Sequence, residues 1–326
     1  MHLQLDDYRR RCRPGRTIQG ISAVLLPYRS NGQIDESGFR THLSRTLKAG
    51  LRAAVNMDTG YVDLLTAEEK QRVLKWTGET VDGRDWFAAG ALPFFGDISL
   101  PLGKAYVREC SLIRDSGGIP VIFPSPGYAK LDENALIELF REIAANVGTF
   151  IAFELGKMFS PHGRMFSERV LAALMELPAC RGLKHSSLDR STEMARLELR
   201  DRLRPDFIIY SGNDLAADMI EFGSDYLLGL STFAPELFTA RDLAWKRNEA
   251  AYLELRDLIQ YLGWIGFREP VPAYKHSAAI FLKSTGGLET DEPHPRAARR
   301  DAKDCALLAD AAKRLERIML TESRPT

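Results

Sequence analysis

The chain has 326 residues, of which 45% are hydrophobic and 27% are charged. This length supports one large domain or two ordinary ones with an ample core. Lysine plus arginine equals aspartate plus glutamate at 44 each. A neutral chain gives no electrostatic case for nucleic acid or a membrane surface as the main partner.

The cysteines and the N-terminal residues indicate the cellular compartment. Cys12, Cys110, Cys180 and Cys305 are far apart and form no metal or redox spacing, which is typical of reduced thiols in a cytoplasmic protein. The arginine-rich start up to Arg16 is not followed by an apolar stretch, so it does not resemble a secretory signal. No run approaches the roughly 20 apolar residues of a membrane span.

Short apolar runs alternate with amphipathic stretches along the first two thirds of the chain. The predicted strands are 20–26, 53–57, 86–92, 120–123, 150–154, 182–184, 207–210 and 226–230. The predicted helices between them are 36–49, 66–81, 101–116, 133–146, 167–176, 191–203 and 214–222, with Thr66 and Glu69 forming a capping box and Asp132 an N-cap.

Eight apolar runs, nearly all followed by a helix, predict a parallel sheet with both faces covered. The repeat of about 30 residues favours an α/β fold of the (β/α)8 TIM-barrel type over an open sheet. No Gly-x-Gly-x-x-Gly motif follows any strand, which argues against dinucleotide binding. Further helices are predicted at 237–262, 271–284 and 297–319, so we divide the chain into an N-terminal extension (1–17), a barrel (18–235) and a C-terminal helical region (236–326).

Lys184 is the leading candidate for catalysis. It ends a short strand and shares one face of it with Gly182, because side chains alternate along a strand. Burial lowers the pKa of a lysine, and a neutral amine in an apolar site can attack a carbonyl to form an imine. The alternative is an ordinary strand-end lysine whose head group reaches solvent.

Active sites of such barrels lie at the carboxyl ends of the strands. The residues at these ends include Tyr28, the loop Asp58-Thr59-Gly60, Ser125, Phe153, Lys184 and the turn Ser211-Gly212-Asn213-Asp214. His185 and Glu154 follow inward-facing positions, so we expect both to point away from the barrel interior.

Five segments together resemble the dihydrodipicolinate synthase and N-acetylneuraminate lyase family of class I aldolases. They are the opening strand and turn 20–35, the second strand with its loop and helix start 50–69, Gly182-Leu183-Lys184, Ser211-Gly212-Asn213-Asp214 and the strand 223–231. The resemblance implies that Lys184 forms a Schiff base with pyruvate or another 2-oxo acid and that a carbon–carbon bond forms or breaks at C3. It also implies that no metal or organic cofactor is needed and that the protein is a homo-oligomer, a tetramer or a dimer.

Two departures from the family pattern narrow the expected activity. Phe153 stands where the family has a proton-shuttling tyrosine, and a phenyl ring carries no proton. Asp58 replaces the first threonine of the loop that cradles the substrate carboxylate, while Thr59 and Gly60 keep their places. Asp58 is a general base or hydroxyl ligand, or else a loop-capping residue. Tyr28, Tyr61 and Tyr128 could supply the missing phenol or serve in packing.

The remaining polar candidates for substrate contact are Ser125, which replaces a tyrosine of the family, and the pair Ser211 and Gly212. The arginine expected shortly after strand five has two possible substitutes, Lys157 and Arg164. We therefore expect aldol cleavage or dehydration of a sugar-acid-like or hydroxy-2-oxo acid rather than the lysine-pathway synthase reaction. The alternative is a non-catalytic family member that binds a small acid or acts as a partner subunit.

Overall fold

The structure is a computed structural model that describes residues 5–93 and 100–322. Eight parallel strands close into a barrel in the order of the chain, which confirms the predicted (β/α)8 fold. The strands are β1 (Gly20–Ala23), β2 (Arg52–Val55), β3 (Phe87–Ala91), β4 (Gly118–Ile122), β5 (Phe150–Leu155), β6 (Cys180–Ser186), β7 (Ile208–Ser211) and β8 (Asp225–Leu228). All eight were predicted, and their ends differ by at most three residues.

Twelve α-helices are present in the described part of the chain. They are α1 (Leu5–Arg11), α2 (Glu36–Lys48), α3 (Ala67–Val81), α4 (Leu102–Asp115), α5 (Pro126–Ala129), α6 (Glu133–Val147), α7 (Glu168–Met175), α8 (Arg190–Leu203), α9 (Pro235–Arg247), α10 (Ala251–Gly266), α11 (Tyr274–Ser284) and α12 (Ala302–Glu322). The capping box of Thr66 and Glu69 and the N-cap Asp132 are confirmed.

Two helix predictions were wrong. The stretch 214–222 holds only a 3-10 turn, Met219–Phe222, because the Asn213 side chain accepts the N–H of Leu215 and competes with the helix. The stretch 237–262 is two helices, since Asn248 takes the left-handed conformation that closes α9. The helix α9 packs against β1 and α2 and so completes the ring around the barrel, while the division into three regions stays a prediction.

The side chains of the strands sort into two cores. Residues that face the barrel axis, such as Ile21, Val121 and Ile151, form one apolar cluster inside the barrel. Residues of alternate positions, such as Ala53, Ala152 and Leu183, pack outward against the helices. This alternation follows from the period of two along a strand, and it decides which strand-end residues face the interior.

The β5–β6 register aligns the two residues that matter most for the site. Phe153 lies directly beside Lys184, and Glu154 lies beside His185. The first pair therefore shares the inner face, and the second pair shares the outer face. Phe94 to Gly96, which the sequence places in the loop after β3, lie outside the described residues.

Candidate functional site

A cavity of about 290 Å³ opens at the carboxyl ends of the strands. Its volume is near the lower end of the range found for small-molecule sites. Every strand contributes to its lining through its last residues or the loop that follows. Of the predicted site residues, Asp58, Thr59, Phe153, Lys184 and Gly212 line it. Lys184 thus points into the barrel mouth as expected.

The amine of Lys184 is held between an aromatic ring and a hydroxyl. Its Nζ lies 4.2 Å from the centroid of the Phe153 ring and donates a hydrogen bond of 2.5 Å to Ser186 Oγ. Burial lowers the pKa of Lys184 to about 8, although the charges of Asp214 and Asp58 oppose this shift. About one amine in eleven is therefore neutral at pH 7, far more than for a lysine with the usual pKa.

Gly212 leaves room for this amine. A Cβ atom built at Gly212 would lie 2.2 Å from Ser186 Oγ and 3.0 Å from Lys184 Nζ. Both distances are shorter than ordinary contacts, so a larger residue would displace the pair. The glycine of the predicted turn thus contributes space rather than a side chain.

Asp58 is neutralised by residues from the C-terminal part of the chain. Its Oδ1 accepts a 2.9 Å hydrogen bond from Lys275 Nζ, and its Oδ2 accepts a 2.8 Å hydrogen bond from the Tyr274 hydroxyl. Burial acts to raise the pKa of Asp58, but Lys275 and Tyr274 outweigh it and the pKa is lowered. Asp58 is thus an anion in a neutral pair rather than an isolated charge.

Thr59 belongs to the same group. Its Oγ1 lies 2.9 Å from the hydroxyl of Tyr274, which therefore contacts both Asp58 and Thr59. Gly60 completes the 3-10 turn Asp58–Gly60 through its backbone but does not line the cavity. The turn aims two polar side chains into the barrel mouth.

Asp214 lines the cavity as a further carboxylate, besides Asp58 and the exposed Asp63. Its Oδ1 accepts a 2.7 Å hydrogen bond from the N–H of Leu230, which fixes the side chain. Burial raises the pKa of Asp214, while the Leu230 N–H and the Lys184 amine act in the opposite direction. An acid with a raised pKa near a buried amine is suited to exchange protons with a bound substrate.

Four predicted site residues lie elsewhere, and the reason is local packing. Tyr28 is buried with its ring edge against Tyr61 and His294 at centroid distances of 5.6 and 5.1 Å. Ser125 caps α5 by accepting the N–H of Tyr128. Ser211 donates to Glu193 outside the barrel. None of these three, nor Gly60, lines the cavity, which corrects their expected position.

His185 and Glu154 point away from the barrel interior, as expected. His185 Nδ1 lies 2.5 Å from Glu154 Oε1, and both side chains are fully buried on the helix side of the sheet. Arg196 of α8 binds the same carboxylate at 3.0 Å, and His185 Nε2 lies 2.8 Å from Ser187 Oγ. This network ties β5 to β6 directly behind the Phe153–Lys184 pair.

Sequence reasoning missed several residues of the site. Tyr274 and Lys275 are more than 200 positions away from Asp58, and no local pattern marks them. Asp214 was present in a recognised motif, and its position after β7 could have singled it out. Arg164 donates to the Leu131 carbonyl, and Lys157 is exposed, so neither lines the cavity. His162 of the same loop does line it.

The fold and the site together define a barrel enzyme built around a partly buried lysine amine, which lines a largely apolar cavity together with the carboxylic acid of Asp214. Within residues 5–93 and 100–322, no three His, Cys, Asp or Glu side chains are grouped to hold a metal ion. In the same residues, no helix is long and apolar enough to cross a membrane.

The sequence model of the dihydrodipicolinate synthetase family matches residues 17–236. The chain belongs to this family and is a lyase. It is 26% identical over 278 residues to the 4-hydroxy-tetrahydrodipicolinate synthase of Nitrobacter hamburgensis, covering 82% of this chain and 86% of the relative. It is 28% identical to the enzyme of the same name from Hyphomonas neptunium, covering 70% of this chain and 75% of the relative.

Solved structures agree on the fold. The chloride-inhibited dihydrodipicolinate synthase of Acinetobacter baumannii, complexed with pyruvate, superposes with a TM-score of 0.77 at 20% identity. The match covers 91% of this chain and 98% of that structure. A dihydrodipicolinate synthase variant described as monomeric superposes with a TM-score of 0.78 at 18% identity, covering 93% and 99%.

Proposed function

We propose that the protein is a class I lyase in which Lys184 forms a Schiff base with pyruvate or another 2-oxo acid. The observation that carries this proposal is the position of the Lys184 amine, which lies in a cavity at the barrel mouth and has a pKa of about 8. A cationic amine has no lone pair for attack, so the lowered pKa is the chemical requirement for an imine.

The reaction proposed is aldol cleavage of a 4-hydroxy-2-oxo acid, or its reverse. The Lys184 nitrogen attacks the C2 ketone, a C–N bond forms and water leaves. The C4 hydroxyl then loses its proton, the C3–C4 bond breaks, an aldehyde departs and the electron pair passes into the imine to give an enamine. Protonation at C3 and attack by water release pyruvate and restore the amine.

Asp214 is assigned the proton transfers in this scheme. Phe153 has no hydroxyl, Tyr28 lies outside the cavity, and the anion of Asp58 is already paired with Lys275. Among the described carboxylates of the cavity, Asp214 combines a raised pKa with an electrostatic interaction with the Lys184 amine. Its carboxylate takes the C4 hydroxyl proton, and its acid form returns a proton to C3.

The substrate carboxylate is assigned to the Asp58–Gly60 turn. Lys275 cancels the Asp58 charge at 2.9 Å, which removes the repulsion expected from an isolated anion. Thr59 and Tyr274 supply hydroxyl groups there. Because this arrangement and Phe153 differ from the family pattern, we favour aldol cleavage or dehydration of a hydroxy-2-oxo acid over the synthase activity named for the relatives.

Borohydride trapping tests the proposal without knowledge of the natural substrate. We expect that pyruvate plus borohydride adds one ketone-derived mass, which peptide mapping places on Lys184. Lys184→Ala and Lys184→Arg should abolish the adduct, since a guanidinium stays protonated. Lys283→Ala serves as the matched control, because Lys283 lies on the exposed side of α11. A folded protein that traps no member of a 2-oxo acid panel would favour the non-catalytic binding role.

We infer that the protein is a cytoplasmic homo-oligomer, a tetramer or a dimer. The cytoplasm is supported by four free cysteines. Assembly is supported by an exposed apolar stripe on α10, where Leu253, Tyr261 and Trp264 share one face and are 53%, 40% and 64% exposed. Light scattering at micromolar protein tests it, and a monomer mass would contradict it.

A further inference from the structure

The cavity has a polar side and an apolar side. The polar side holds the groups assigned above to the carboxylate and the reacting carbon atoms, namely Asp58, Thr59, Lys184, Ser186, Asp214 and Tyr274. The opposite side, which we call the apolar wall, is built by the ends of β3, β4 and β5 and the start of the next loop. Its members are Leu92, Phe123, Pro124, Phe153, Leu155 and Phe159.

The side chains of the apolar wall contain no hydrogen-bonding group, and three of its backbone groups already have hydrogen-bond partners. The Leu92 carbonyl accepts a 3.0 Å hydrogen bond from Lys70 Nζ. The Phe123 carbonyl accepts a 2.5 Å hydrogen bond from the hydroxyl of Tyr106. The N–H of Leu155 donates to the Arg164 carbonyl at 3.1 Å. A substrate hydroxyl placed against this wall would lose its water partners without replacement.

The wall is also rigid. Phe123 and Phe153 meet edge to face with ring centroids 4.8 Å apart and an interplanar angle of 76°. This is the arrangement that aromatic pairs prefer. The two rings are 5% and 2% exposed, so neighbouring residues fix them on their other sides. A further flat or branched apolar group can pack against this pair beside the Lys184 amine.

Two polar residues of the β5–α7 loop, Ser160 and His162, also line the cavity. The Ser160 hydroxyl already accepts the backbone N–H of His162 at 3.2 Å. Both residues follow the wall in sequence, beyond the end of β5. Together with the exposed Asp63 of the β2–α3 loop they are polar lining residues outside the apolar wall, which consists of the strand ends and Phe159.

We infer that the group carried on C4 of the substrate, which leaves as the aldehyde, is an aryl or branched alkyl group. This inference rests on the proposed Schiff-base function and names its substrate class. It replaces the sugar-acid-like substrate expected from the sequence, because a polyhydroxylated chain extending from C4 would place its hydroxyls against the apolar wall. The carboxylate and ketone of the substrate bind the polar side of the cavity, and its apolar group packs against the apolar wall.

The test is aldol condensation of pyruvate with three aldehydes, followed by mass spectrometry of the 4-hydroxy-2-oxo acid product. Benzaldehyde and 2-methylpropanal represent the apolar class, and glyceraldehyde represents the polyhydroxylated class. We expect kcat/KM to be at least about tenfold higher for one of the apolar aldehydes than for glyceraldehyde. Pyruvate trapping on Lys184 is measured on the same preparation.

The outcomes separate the two proposals. If pyruvate is trapped on Lys184 but glyceraldehyde reacts as well as or better than the apolar aldehydes, the inference of an apolar substrate group is overturned and the Schiff-base function stands. Trapping without condensation of any aldehyde also overturns the inference alone. Absence of trapping removes the proposed function and the inference with it.

A variant of the wall gives a second readout. Phe159→Ser lies in a loop, so it should leave the barrel folded, which circular dichroism verifies. We expect the ratio of kcat/KM for the preferred apolar aldehyde to that for glyceraldehyde to fall about tenfold. Leu203→Ser, at a 52% exposed position on α8 away from the cavity, should leave this ratio unchanged. An unchanged ratio in Phe159→Ser would contradict the assignment of the wall.

Discussion

Replacement of Asp214 by asparagine should separate imine formation from carbon–carbon bond cleavage. Asparagine has nearly the same shape and can still accept the Leu230 N–H that now bonds Oδ1 at 2.7 Å. It carries no negative charge and cannot serve as a general base. The substitution therefore removes a charge that raises the pKa of Lys184 and a proton acceptor for the substrate while leaving the turn intact.

Asp214→Asn should speed up imine formation and slow down carbon–carbon bond cleavage. The Asp214 charge is the larger of the two that raise the pKa of Lys184 against burial, which lowers it to about 8. At that pKa about one amine in eleven is neutral at pH 7. Loss of a neighbouring negative charge lowers the pKa of an amine by about one unit. The neutral fraction of Lys184 at pH 7 then rises to about half. Trapping at pH 7 should then be about fivefold faster, whereas loss of a general base should slow cleavage about 100-fold or more.

The assay is the rate of pyruvate trapping between pH 6 and 9, with cleavage of a 4-hydroxy-2-oxo acid measured in parallel. The pH of half-maximal trapping should move to lower values, because a lower lysine pKa releases the amine at lower pH. Asp206→Asn is the matched control, since Asp206 is exposed just before β7, at the end of the strand opposite the cavity. An unchanged trapping profile together with unchanged cleavage would refute the role given to Asp214.

Three further substitutions have defined outcomes. Phe153→Tyr keeps the ring volume, so the fold should persist. The rate of substrate cleavage should change less than about threefold, because Asp214 already carries the proton. A large gain in this rate would show that the native site lacks a proton relay. Asp58→Thr should raise pyruvate affinity more than about tenfold, as judged from the saturation of trapping, because Lys275 is left to pair with the carboxylate; a flat or weaker affinity would mean that Asp58 does not face it. Glu154→Gln should lower the free energy of unfolding by about 3 kcal/mol in urea titrations, because Arg196 and His185 lose a buried partner. Glu138→Gln, at a 67% exposed side chain, should change stability by less than about 0.5 kcal/mol; an equal loss in both variants would contradict the network's role.

Local patterns were sufficient for the fold because a parallel barrel repeats one unit. Each strand, such as 150–154 or 182–184, is an apolar run flanked by helical periodicity, and this signal lies within about 30 residues. The same local rule placed Lys184 and Phe153 on the inner face and Glu154 and His185 on the outer face. The register of β5 and β6 confirms both pairs.

The two helix predictions failed for different local reasons. Asn213 takes a turn amide at the start of the predicted helix 214–222, and Asn248 adopts a left-handed conformation inside the predicted helix 237–262. Both stretches keep an apolar periodicity, so the pattern alone gives no warning. The hydrogen bond or dihedral angle that ends each helix is visible only in three dimensions.

Periodicity and motifs within single segments were enough to predict the barrel, the family and the inward-facing position of Lys184. The charge and the apolar character of the site depend on the tertiary structure. It brought Tyr274 and Lys275 of α11 onto Asp58, and it excluded Tyr28, Ser125 and Ser211 from the cavity. Electrostatic pairing and the apolar wall depend on distances between residues far apart in the chain, and those distances are set by how the strands close and where the C-terminal helices pack.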